Sequence, residues 1–258
     1  MHIDDFHRYT AGELAHLCEV NEDMEVNLHH HEGIKYLRVT NFLKRPEKLA
    51  EFLQMFPAED RNKTIAAGES TEIKSSAPGF QQYIKDFYFS DLNKKIFDIG
   101  KEYKIHRFKS ESVKFDNFTN CCYPGMKAYN QNYLPHTDSF GLASNLYLTD
   151  GGNSATSFYR VKTKSGKVYH NEFELKYIPK EEQEDLLSRY QYDTQTSGWS
   201  DWVHFEGDDL YEKYHDIPSE FNSLNMYKGN IWHSIKYNAE TDPLRYSLVT
   251  AMISVNTY

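Results

Sequence analysis

The residues of this chain best suited to chemistry begin at His136-Thr137-Asp138. In an extended segment, residues i and i+2 project to the same side, roughly 7 Å apart along the strand. His136 and Asp138 can therefore offer an imidazole and a carboxylate to one metal ion. A second imidazole has to come from elsewhere in the fold. Two histidines and one carboxylate on one face of a first-row metal leave its other positions open, the ligand set that suits O2 chemistry at Fe(II). Alone, His-x-Asp is a weak signal, because 12 histidines and 38 acidic residues make a chance pairing expected. The context has to decide.

That context lies near the C-terminus, where Lys228-Gly229-Asn230-Ile231-Trp232-His233-Ser234 leads into Arg245-Tyr246-Ser247-Leu248. His233 sits in an apolar, strand-like setting. Lys228, His170, His204 and His215 are rivals by residue type but lack that setting. Arg245 carries a permanent charge on a planar fork that can clamp a carboxylate through two parallel hydrogen bonds. On the strand after the distal histidine, it can reach past a metal to the far carboxylate of a dicarboxylic oxoacid.

Such groups need rigid elements to hold them. Period-two alternation over Lys114–Thr119, Ala143–Leu148, Ser157–Val161, Ser223–Tyr227 and Tyr246–Ile253, punctuated by Gly and Asp turns, predicts strands. Upstream, Arg45–Met55 has Pro46 near its start and Leu49, Phe52 and Leu53 at helical spacing. Gln81–Ile99 is predicted helical too, as two shorter pieces. The stretch to Leu37 is polar and uninformative, and His29, His30 and His31 read as an exposed, incidental run. The expected organisation is a single domain over 1–258. Its helix-rich part, 1–103, packs on a strand-rich core, 104–258, a barrel or sandwich with flanking helices and an insertion over 163–219. Within the insertion, Pro179–Tyr190 is predicted helical, and Trp199 and Trp202 fall in a polar loop that is either a lid or an anchor.

Composition sets outer bounds. A chain of 258 residues with 20 Tyr and 16 Phe can bury a sizeable core without disulfides, and its aromatics favour sheet. A net charge of −9 argues against a generic nucleic-acid partner, although a local basic groove is compatible with it. Cys18, Cys121 and Cys122 form no CxxC, and neighbours on a strand point to opposite faces, so three free thiols in a reducing compartment are expected. The opening MHIDDFHRYT has neither a basic nor an apolar leader region, and no run approaches 18 apolar residues. A cytoplasmic protein with no membrane partner is the expectation.

With these residues in view, the chain resembles the prolyl-4-hydroxylase-like branch of the Fe(II)/2-oxoglutarate oxygenases. The resemblance is carried by motifs in order. Cys122-Tyr123-Pro124-Gly125 is similar to the family's Tyr-x-x-Gly, and Tyr133 precedes His136 as in its Tyr-x-x-His-x-Asp. Leu146-Tyr147-Leu148-Thr149 resembles its Leu-Tyr-Leu-Asn strand, and Gly151-Gly152 with Phe158 its Gly-Gly-x-x-x-Phe region. Gly229–His233-Ser234 and Arg245-Tyr246-Ser247 complete the series. A bacterial branch of unassigned function is closer still, through Ser157-Phe158-Tyr159-Arg160 and Phe221-Asn222-Ser223-Leu224-Asn225. Together the motifs span about Asn120 to Ser254, and the first 100 residues carry none.

The resemblance implies a distorted double-stranded β-helix, or jelly roll, with Fe(II) on His136, Asp138 and His233. It implies 2-oxoglutarate on that metal, its far carboxylate on Arg245 with help from Tyr147, and Tyr123 near its metal-binding end. It implies O2-dependent hydroxylation of a C–H bond on a protein side chain or a small amino-acid-like metabolite, with succinate and CO2 as co-products. With Asp138 present, hydroxylation is favoured over halogenation, because a halide needs the position the carboxylate fills. The gaps from Tyr123 to His136 and from His233 to Arg245 are longer than the family's pattern. Two other classes stand against this reading: a metal-binding jelly roll without turnover, and a cupin-type hydrolase or isomerase. Neither needs a carboxylate clamp opposite the metal.

Overall fold

The computed structural model describes residues 11–54, 59–60, 80–84, 89–107, 113–129, 134–138, 141–175, 177–186, 199–201 and 204–254. Helix α1 (Ala11–Leu17) opens the described chain, followed by strands β1 (Glu25–His31) and β2 (Ile34–Thr40) and helix α2 (Pro46–Gln54). Then come β3 (Glu59–Asp60), β4 (Phe80–Ile84), α3 (Ser90–Glu102), β5 (Val113–Cys122), β6 (Lys127–Tyr129) and β7 (Leu142–Tyr147). Next are β8 (Ala155–Lys162), β9 (Val168–Tyr169), the short α4 (Glu172–Leu175) and β10 (Trp199–Asp201). The last four strands are β11 (Tyr211–Pro218), β12 (Leu224–Lys228), β13 (His233–Lys236) and β14 (Arg245–Ser254).

Two antiparallel sheets dominate. The larger runs β1-β2-β12-β7-β14-β5-β4-β3; the smaller runs β11-β8-β13, with β9 beside β8. The five strands predicted from alternation are β5, β7, β8, β12 and β14. Across the middle of the large sheet one face carries most of the long aliphatic side chains. Leu37, Val39, Leu146, Leu224, Met226 and Leu248 point outward to a core closed by the apolar sides of α2 and α3. The helices pack closely: a Cβ on Gly100 of α3 would lie 2.9 Å from Leu142 Cδ2 and Met226 Cε, so a larger residue would make those two side-chain ends shift.

The opposite face looks onto the small sheet. Cross-strand register puts Arg38 beside Asn225 and Asn225 beside Asn145, while Tyr147 lies beside Ser247 and Ser247 beside Asn120. Asn145, Tyr147, Asn225, Ser247 and Asn120 are all buried there. Near Tyr147 this inner face is polar, whereas toward β2 it is apolar, Ile34, Tyr36, Ala143 and Tyr227 clustering with Phe158. The two sheets meet where Tyr147 and Thr156 share a hydrogen bond of 2.9 Å, and where Tyr36 and Tyr227 pack on Phe158.

Several expectations need correction. The first forty residues are not featureless: β1 and β2 extend the large sheet, and Leu37 and Val39 are fully buried. Gln81–Ile99 does not begin as helix. Phe80–Ile84 is a strand paired with β5, Tyr83 opposite Phe118, and the helix starts only at Ser90. Pairing with a neighbouring strand outweighs local propensity there. Segment 1–103 thus supplies four strands as well as helices. The 163–219 insertion ends in β11, which pairs along β8, so its last part is sheet rather than loop. Residues 180–186 of the predicted Pro179–Tyr190 helix are helical, and Trp202 lies outside the described residues.

The histidine run is not incidental either. His30 is exposed, but His29 stacks on Tyr36 at 4.7 Å and His31 on His215 at 4.4 Å, joining the outer edges of the two sheets. All three cysteines are free. No helix among the described residues is long and apolar enough to cross a membrane.

Candidate metal centre and anion clamp

His136, Asp138 and His233 come together despite their separation in the chain: one ligand atom from each lies within 4.8 Å of the others. Backbone bonds hold them in place. His136 and His233 exchange N–H···O bonds of 3.0 and 2.9 Å, and Asp138 N–H donates to Gly229 O at 2.8 Å. The His-x-Asp segment is thereby zipped onto the start of β13 and the turn before it.

Both rings are oriented by the same device. His136 Nδ1 meets Leu134 O at 3.2 Å and His233 Nδ1 meets Ile231 O at 2.8 Å. A carbonyl can only accept, so each Nδ1 carries a hydrogen and each Nε2 is the atom turned toward Asp138; burial would lower His233, but the charge and hydrogen bond of Asp138 raise it. The Nε2 atoms lie 3.9 and 3.2 Å from the two oxygens of Asp138. Ligands at right angles with bonds of ~2.1 Å to a first-row ion would stand about 3 Å apart, so small movements close the set. Burial, then the neighbouring His233, pushes His136 down to about 4, leaving it neutral near pH 7. Burial would raise Asp138, but the charge and hydrogen bond of His233 outweigh it and hold the carboxyl low. Asp138 is an anion in this setting.

Arg245 is buried at 2% exposure. Its Nε donates to Ser219 Oγ at 3.2 Å, its Nη2 to the Tyr147 hydroxyl at 3.4 Å, and its guanidinium lies 5.1 Å from the Tyr147 ring centre. Among the described residues Nη1 has no hydrogen-bond partner and no carboxylate pairs with the group. The distance to the triad can be read along β8. Tyr147 touches Thr156, whereas His233 is paired with Phe158, so the two ends of the site lie about two residues, roughly 7 Å, apart along that strand. Ser247 Oγ, buried on the same inner face as Tyr147, also has no partner.

The other predicted residues fall as follows. Tyr147 stands at the Arg245 end. Tyr123 is half-buried and packs with Cys122, Met126, Tyr237 and Ala239, on the side where Cys122 faces Arg245. Tyr133 lies outside the described residues. The rival histidines sit elsewhere: His204 bonds Ser157 at 3.3 Å, His215 bonds Tyr36 at 2.9 Å, and His170 packs edge-on to Tyr214. Arg160 is held between Glu212 at 2.9 Å and Glu32 at 2.8 Å. Sequence reasoning passed over Tyr227 and Asn145, which line the cavity between the two ends, and Ser219 and Thr156, which support the clamp. The signal was present in the alternation, as polar residues on a strand face that elsewhere would be apolar.

A model of DUF6445, a family of unknown function, matches residues 21–246, a span that holds the triad and Arg245. The chain belongs to that family. No curated protein matches this DUF6445 member. Among solved structures, a prolyl-4-hydroxylase of Pseudomonas putida is similar at 14% identity and a TM-score of 0.39, over 85% of this chain and 88% of its own. HygX from Streptomyces hygroscopicus, solved with nickel and 2-oxoglutarate bound, is similar at 11% identity and a TM-score of 0.45, over 86% and 83%. The carbocyclase SnoK of nogalamycin biosynthesis, described as non-heme and alpha-ketoglutarate-dependent, gives 12% and 0.42 over 85% and 79%. These likenesses are distant, and the functional reading rests on the site's own geometry.

Proposed function

We propose that this DUF6445 member is an Fe(II)- and 2-oxoglutarate-dependent dioxygenase that hydroxylates a C–H bond of a protein side chain or a small amino-acid-like substrate. The carrying observation is a buried guanidinium with no counter-ion among the described residues, one short step along β8 from two oriented imidazoles and a carboxylate. A buried charge left unpaired costs several kcal/mol. An anionic ligand that docks on Arg245 and reaches the triad would repay that cost, and a five-carbon dicarboxylate has the right span. Facing antiparallel sheets around this cavity support a distorted double-stranded β-helix as the scaffold.

In this reading His136 and His233 hold Fe(II) through Nε2 and Asp138 through its carboxylate, one negative charge that leaves other positions open. Arg245 and Tyr147 grip the far carboxylate of 2-oxoglutarate, with Tyr123 flanking it from the end of β5. Bound together, the iron, the oxoacid and O2 supply the oxidising power for hydroxylation, with succinate and CO2 released. The protein's share is placement. The Leu134 and Ile231 carbonyls keep the imidazoles aimed, and the buried Tyr147–Thr156–Arg245 group fixes one end of the oxoacid. The close walls keep bulk water from the reacting centre.

Anaerobic addition of Fe(II) and 2-oxoglutarate should produce a weak visible charge-transfer band. His136→Ala or Asp138→Ala should abolish it, and Arg245→Ala should weaken oxoacid binding by roughly a hundredfold, as truncating one side of a buried charge pair does. A protein that takes up iron yet shows no band, and releases no succinate across peptides, amino acids and nucleosides, would be a metal-binding module instead.

A further inference from the structure

Between the triad and Arg245 stands Tyr227, a residue no motif singles out. It is almost fully buried, its ring edge-on to His233 at 5.0 Å and to Phe158 at 5.1 Å. Across the strand pair it faces Ala143. Asn145, one inward position further along β7, donates from Nδ2 to the Tyr227 hydroxyl at 3.2 Å.

That contact has a directional consequence. An amide N–H can only donate, so the hydroxyl accepts it and its own hydrogen must point elsewhere. Among the described residues, the bond from Asn145 is the one hydrogen bond given to this hydroxyl. Its ring lies against His233 at the triad end, and its hydroxyl lies on Asn145, two residues before Tyr147 on β7, which places it between the two ends of the site. A buried donor with no acceptor among the described residues calls for a ligand oxygen.

Building on the function proposed above, we infer that Tyr227, oriented by Asn145, donates a hydrogen bond to the metal-side carboxylate of the oxoacid and so fixes how that end sits on the metal. A ligand stretched from Arg245 to the triad has to pass this hydroxyl, and its metal-side carboxylate carries the acceptors. A neutral donor suits the position, because a cation there would repel the metal and an anion would repel the oxoacid.

The test is an anaerobic titration of 2-oxoglutarate into the Fe(II)-loaded protein, followed by the charge-transfer band. Tyr227→Phe should weaken the oxoacid about tenfold, the usual effect of losing a hydrogen bond to a charged group, and should shift the band maximum. Affinity for Fe(II) alone should stay unchanged. Asn145→Ala, which keeps the phenol but frees its orientation, should weaken the oxoacid by a smaller factor in the same direction, and it carries the test if Tyr227→Phe does not fold. A band in the wild type with the same affinity and maximum in both variants overturns this inference and leaves the oxygenase reading standing. No band in the wild type overturns both.

Discussion

At the scale of single residues, Arg245 sets function against stability. Its guanidinium is buried with its Nη1 unpartnered among the described residues, and replacing a buried charge by an apolar side chain of similar size is often stabilising by about 1–4 kcal/mol. Arg245→Met should therefore raise the melting temperature of the ligand-free protein while removing the extra stabilisation that 2-oxoglutarate gives the wild type. Thermal melts with and without the oxoacid read both effects; a melting temperature that falls in the ligand-free variant would show that the guanidinium holds the fold together rather than awaiting an anion. The triad and Arg245 were legible in the sequence because their chemistry is extreme: imidazole, carboxylate and guanidinium in apolar strand contexts have few other uses. Tyr227 and Asn145 were not, because a Tyr or Asn on a strand is ordinary until one knows which face meets the cavity.

At the scale of elements, the β1–β2 hairpin shows where pattern reading fails and where a new sensitivity lies. Its two-residue turn, Glu32-Gly33, has positive φ at both positions (41° and 89°), the type I′ geometry that suits tight hairpins. Glu-Gly is not the usual sequence for that turn, and β2 is buried on both faces, so neither turn nor alternation announces it. The hairpin touches the small sheet through His31 on His215, while His29 stacks on Tyr36. Burial first, then Arg38, lowers His29 below its usual 6.5, and burial, then His31, does the same to His215. Because the unfolded chain takes up protons near that value and the folded one only lower, stability should be flat above about pH 6.5 and decline as pH falls below it. Urea midpoints from about pH 8 to 5 should trace this, with a shallower slope in His29→Gln/His215→Gln; an unchanged slope would mean the decline originates elsewhere.

At the scale of the whole molecule, the N-terminal region is built into the sheet rather than laid against it. β2 hydrogen-bonds β12 along Leu224–Tyr227, and its Leu37 and Val39 sit in the main core. Removing residues 1–44 would expose that edge of β12 and open the apolar face above it. Such a chain should lose its cooperative thermal transition, as read by circular dichroism, whereas an independent appendage would leave the transition in place. The motif-bearing stretch from about Asn120 onward was legible as a strand-rich unit with a site. The dependence of that unit on the first forty residues was not, since strand pairing across so long a separation leaves no local trace.

Around the candidate site the large sheet turns Leu146, Leu224, Met226 and Leu248 toward the helices and Asn145, Tyr147, Asn225 and Ser247 the other way. Mechanical support and chemical recognition are thus assigned to alternate side chains of the same strands. Exchanging an inward Asn or Ser should retune what the cavity accepts without disturbing the leucines behind it. Relatives sharing this frame are free to diverge in the molecules they handle, and laboratory selection for altered specificity would do best to randomise the inward positions alone.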